Sequence, residues 1–167
     1  RLVGSEMCIR DRYRSVHALS QMGEGVLDRL IAACEDENAN VRAGAAQALG
    51  GIHRGSERSV PLLVKLMEDE SDLVREAVIK SLSLLPSPAT TSLLEALSPP
   101  SALARQAACQ ALGKMGHDAK DAADKLFALV SMESDQAVLV AALECLPSID
   151  APSHEVLKAV MSYFDTE

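Results

Sequence analysis

Three arginines recur in one setting: Val41-Arg42, Val74-Arg75 and Ala104-Arg105. A guanidinium is always charged and offers a planar fork of donors that suits carboxylate and phosphate oxygens, so three such groups at matched positions could line an anion site. Other residue types with chemistry are scattered. Cys8, Cys34, Cys109 and Cys145 form no CxxC pair. The last three sit among apolar neighbours, as small buried hydrophobes in a reducing compartment do. His17, His53 and His117 lie near the ends of apolar segments and lack ligand-type residues at i+3 or i+4, so they read as helix-end or solvated side chains. The chain has one His-Glu step, His154-Glu155. It contains no GxSxG, P-loop, GxGxxG or HExxH motif, and no Ser or Cys has a nearby base to activate it. No catalytic, cofactor-binding or metal-ligating residue is assigned on these grounds. The acidic run Met67–Asp72 (MEDESD) reads as a solvated turn whose charge complements the helix start after it.

The elements that would position these residues are all helical. Of the 167 residues, 48% are apolar, but the aromatics number only Tyr13, Phe127, Tyr163 and Phe164, so any core is aliphatic. β-Branched and aromatic residues never alternate over a useful run, which leaves an all-α chain. The formal charge of −8 argues against a partner bound through phosphates or an anionic membrane surface. No apolar run approaches the roughly 20 residues that span a bilayer. Arg1–Arg12 (RLVGSEMCIRDR) stands apart: it resembles translated read-through of a sequencing-library adapter, and without it the charge is −9.

Internal repeats organise the rest. VRAGAAQALGGI (41–52) aligns with VREAVIKSLSLL (74–85), ARQAACQALGKM (104–115) and VLVAALECLPSI (138–149), and ALSQMG (18–23) matches ALGKMG (111–116). The aligned leucines Leu49, Leu82, Leu112 and Leu146 step by 33, 30 and 34 residues, a period that signals stacked supersecondary units. Three residues before each aligned start stand Asn38, Ser71, Ser101 and Asp135, all helix-capping types. Helices are therefore expected at about 38–52, 71–85, 101–116 and 135–147. A second apolar segment of helical spacing precedes each one, and SHEVLKAVMSYF after Pro152 has the same character. The unit is two antiparallel helices of about 30–34 residues in all. Its second helix carries a stripe such as Val41, Ala45, Ala48, Leu49 and Ile52, which only stacking against neighbours can bury. Gly44, Gly50 and Gly51 are expected to thin that helix for close packing, at a cost in helix propensity.

The pattern cap-x-x-Val-Arg-x-x-Ala-x-x-Ala-Leu-Gly resembles HEAT repeats, of the short type first named from phycobilisome lyases. The match weakens in the fourth repeat, where Leu139 replaces the Arg and Pro147 the Gly. The resemblance implies a right-handed α-α superhelix of stacked antiparallel pairs, HEAT/armadillo-like. It would form a single array over residues 13–167, with a partial repeat at 13–24, repeats at about 25–55, 56–86, 87–117 and 118–150, and a partial repeat at 151–167. It also implies a structural ladder in which Arg42, Arg75 and Arg105 bond acidic turn residues, Asp36 and Asp69 among them; the ligand-facing anion site is the alternative. The HEAT-like deoxyhypusine hydroxylases hold iron with His-Glu dyads just after the Val-Arg. Here those places are Ala43-Gly44, Glu76-Ala77, Gln106-Ala107 and Val140-Ala141, so no such dyad is present.

The expected function is a protein-interaction scaffold or adaptor segment of a larger repeat protein, without enzymatic activity or cofactor, cytoplasmic, and with protein partners rather than nucleic acid or membrane. Polar positions on the second helices are Gln47, Glu76, Lys80, Gln106, Gln110, Lys114 and Glu144. Lys80, Gln110 and Lys114 are the expected partner contacts. The competing reading is an enzyme-associated protein of the same fold, such as a bilin lyase subunit. Neither end of the chain carries a polar capping unit, so the sequence reads as a fragment.

Overall fold

The computed structural model describes residues 24–52, 56–98 and 101–164, and among these every regular element is helical. The adapter-like segment 1–12, the residues 13–23 of the expected first partial repeat, His17 and His53 lie outside the described residues. The chain divides into two compact units, Arg1–Leu85 and Pro86–Glu167.

In the first unit α1 (Glu24–Ala33) pairs with α2 (Ala39–Gly50), and α3 (Ser56–Lys65), prolonged by a 3-10 turn at Leu66–Glu68, pairs with α4 (Asp72–Ser83). The second helices α2 and α4 pack along each other. The second unit repeats the plan. It runs α5 (Pro86–Glu95), α6 (Ala102–Met115), a 3-10 stretch Gly116–Ala122, α7 (Ala123–Met132), α8 (Gln136–Ser148) and α9 (Ser153–Phe164), with α6 packed along α8.

The cap residues set the starts of the second helices. The carbonyls of Asn38, Ser71, Ser101 and Asp135 each accept a first-turn amide, from Arg42, Arg75, Arg105 and Leu139 respectively. Three side chains cap as well. Asn38 Oδ1 accepts Asn40 N at 2.9 Å, Ser101 Oγ accepts Ala104 N at 3.4 Å, and Asp135 Oδ1 accepts Ala137 N and Val138 N at 2.9 and 3.1 Å. Ser71 departs from expectation: its hydroxyl caps nothing, and the adjacent Asp72 places negative charge in the first turn of α4 instead. Two of the second helices stop where φ turns positive, α6 at Gly116 (φ +62°) and α8 at Asp150 (φ +58°), whereas α2 and α4 end at Gly51 and Leu84 with φ still negative. Beyond α8, Ala151 N closes back on Leu146 O at 3.1 Å, a bond of Schellman type.

Burial follows the repeat. Leu49, Leu82, Leu112 and Leu146 are all fully buried, as are Leu63 and Met67 in the first unit and Leu93 and Leu126 in the second. Replacing such a leucine by alanine typically costs about 2–5 kcal/mol, so each of these side chains is a large fraction of its unit's stability. One stripe position differs from expectation. Ala45, Ala48, Leu49 and Ile52 are buried, but Val41 is 40% exposed, whereas its equivalents Val74 and Val138 are 0% exposed. α4 and α8 each follow a described second helix in their own unit. No described second helix precedes α2.

Candidate functional site

The three equivalent arginines stand in the first turns of the second helices α2, α4 and α6 and reach into the turns between paired helices, where their partners differ. Arg42 holds Asp69 with two bonds, Nε to Oδ2 and Nη2 to Oδ1, both at 2.8 Å, while Nη1 reaches the carbonyls of Asp36 and Glu37 at 2.9 and 3.0 Å. One guanidinium thus ties the turn of its own repeat to the turn of the next. Asp69 Oδ1 also accepts Ser71 N at 2.9 Å, so the rung is fixed at both ends. Arg105 repeats the geometry in the second unit. Its Nε and Nη2 reach the Glu133 carboxylate at 2.6 and 2.9 Å, and Glu133 Oε1 accepts the amides of Ser134 and Asp135. Arg75 stays within its own repeat, donating to Asp69 O at 2.5 Å and to the Asp72 carboxylate.

The hydrogen bonds from Arg42 and Arg105 hold the carboxyls of Asp69 and Glu133 below their ordinary range, against the opposing pull of burial. The same bonds raise the arginines further. Arg42 is 9% exposed, and its donors are directed into this network. The acidic run 67–72 divides accordingly: Met67 is core, Asp69 is the rung, Asp72 begins α4, and Glu68 and Glu70 face solvent.

The expected partner contacts lie on exposed helix faces. Lys80 is exposed on α4, one turn after the exposed Glu76. In the second unit Gln110 and Lys114 are exposed one turn apart on α6, and Glu144 is exposed on α8. Gln47 and Gln106 are half-buried. Reasoning from polarity overlooked apolar residues on these same helices. Leu73 (38% exposed) lies on α4 and Leu84 (53%) just past its end, with Leu103 (43%) on α6 and Val140 (44%) on α8. A signal for two of them was present in the sequence, since Leu73 and Leu103 each stand two residues after a cap, beside the buried stripe rather than in it.

Among the histidines, His117 follows α6 and its Nδ1 lies 2.9 Å from Asp150 Oδ2, beyond the end of α8; both side chains are exposed. His154 Nε2 stands 3.7 Å from its neighbour Glu155 on α9. Among the described residues no group of three or more His, Cys, Asp or Glu side chains could hold a metal ion. Cys34, Cys109 and Cys145 are free and buried. Burial pushes their thiols up, to about 11 for Cys34 and about 12 for Cys109 and Cys145. No described helix is long and apolar enough to cross a membrane.

Capped second helices packed along one another, with arginine rungs between turns, define a helical-repeat protein. The family model for HEAT repeats matches residues 6–83, 27–99 and 90–167, and the chain belongs to that family. No curated protein matches it. Among solved structures it is similar to the complex of CpcE and CpcF of phycocyanin lyase from Nostoc sp. PCC7120, at 26% identity and a TM-score of 0.52. That match covers 92% of this chain and 64% of the other, so the chain spans about two thirds of the relative's length. A designed armadillo repeat protein in complex with a (KR)4 peptide matches at 15% identity and a TM-score of 0.44, covering 96% of this chain and 83% of that one.

Proposed function

We propose that the chain is a protein-interaction scaffold or adaptor segment that acts without catalysis of its own. The observation that carries this reading is the exposed face of the second helices. There Leu73 and Leu84 accompany Glu76 and Lys80 in the first unit, and Leu103 and Val140 accompany Gln110, Lys114 and Glu144 in the second. Partly exposed aliphatic side chains supply area to bury, and the polar ones beside them fix register. Trp is absent and aromatics are few, so the contact rests on many modest contributions rather than a few deep anchors. Support also comes from the similar CpcE–CpcF structure, which is itself a complex of two subunits. Three buried free thiols suit a reducing compartment such as the cytoplasm.

The test is affinity capture from the source cell's lysate with the wild-type chain and with a variant carrying Lys80→Glu, Gln110→Ala and Lys114→Glu. Circular dichroism would confirm that both are equally helical. The reading expects a specific protein retained by the wild type and lost by the variant. An identical set of captured proteins would move the interface elsewhere.

The similarity to a phycocyanin lyase supports a second reading, a subunit that assists bilin attachment. It predicts that the chain, alone or with a partner subunit, promotes covalent transfer of a bilin to an acceptor protein. Visible absorbance that persists on the acceptor after denaturation would report the transfer. Its absence with every acceptor tried would leave the scaffold reading in place.

A further inference from the structure

We draw no further inference here: the strongest candidate, the exposed apolar flank of α9 at Leu157 and Met161 with the adjoining cleft lined by Pro147, Asp150, Ala151, Ser153, Val156 and Leu157, carries nothing because nothing in the structure shows what covers it.

Discussion

Gly50 of α2 lies so close to Ser81 of α4 that a Cβ added to the glycine would stand 2.6 Å from both the Cα and the Cβ of the serine. The second helices of the first unit therefore meet nearly backbone to backbone, which only glycine permits at that point. The second unit repeats the relationship less tightly: a Cβ on Gly113 would lie 3.4 Å from Cys145 Cα and 3.7 Å from its Sγ.

The first prediction contrasts two glycines of α2. Gly50→Ala must push α4 away and should destabilise the protein by about 1–3 kcal/mol, outweighing the gain in helix propensity of about 1 kcal/mol. Gly44→Ala meets nothing within 4 Å, so it should keep that gain and raise stability by up to about 1 kcal/mol. Urea unfolding followed by circular dichroism measures both. Equal shifts in the two variants would contradict the close approach.

A second prediction concerns the rungs. Asp69→Ala removes two bonds from Arg42 and the acceptor for Ser71 N, and should cost about 1.5–3 kcal/mol. Arg75→Ala loses one bond to a carbonyl and one to the exposed Asp72, and should cost at most about 1 kcal/mol. In a double-mutant cycle Arg42 and Asp69 should couple, and Arg42 and Asp72 should not. The reverse order of costs would mean that the cross-repeat rung does not hold the turns together.

These contrasts show what could be read from the residues and what could not. Cap chemistry and the spacing of Leu49, Leu82, Leu112 and Leu146 are local signals, so the helices and their buried faces were legible. Which glycine meets a neighbour depends on how two helices cross. Gly44, Gly50 and Gly51 look alike in sequence, yet Gly50 meets Ser81, Gly44 faces open space, and Gly51 is exposed. The rungs show the same limit. Asp69 and Glu133 each stand two residues before a cap, and each receives an arginine from the preceding repeat. Arg75 instead bonds within its own repeat. Equivalent arginines thus acquire different partners, which their matched places in the sequence do not reveal. On the exposed faces, polarity pointed to Lys80, Gln110 and Lys114 but passed over Leu73 and Leu103. A leucine in a helix reads as core until its neighbours are known.

The rungs also set a pH dependence. Asp69 and Glu133 have folded-state pKa values below those of the unfolded chain, so on acidification the unfolded state takes up protons before the folded state does. Their contribution is present in full above the unfolded carboxylate values of about 4 and is lost as pH falls through the lower folded values. Stability from urea titrations should be level from pH 6 to 8, as far as these groups decide it, and fall below about pH 4.5. Asp69→Asn and Glu133→Gln should each flatten that acid limb while lowering the plateau. An unchanged acid limb in both variants would show that other carboxylates govern it.

The last prediction concerns the thiols. With pKa values near 11 and 12, Cys34, Cys109 and Cys145 hold almost no thiolate at pH 8, and burial keeps reagent from the sulfur. Cys8, outside the described residues, can be replaced by serine so that any signal comes from these three. The native Cys8→Ser protein should react with a soluble aromatic disulfide only as fast as it opens, and all three thiols should react at once in strong denaturant. The three rates should also rise on Gly50→Ala or Asp69→Ala according to location: Cys34, in the first unit with both substitutions, should gain more than Cys109 and Cys145 if the units open separately. Equal gains at all three would mean that the two units unfold as one, and rapid native labelling would overturn the buried placement itself.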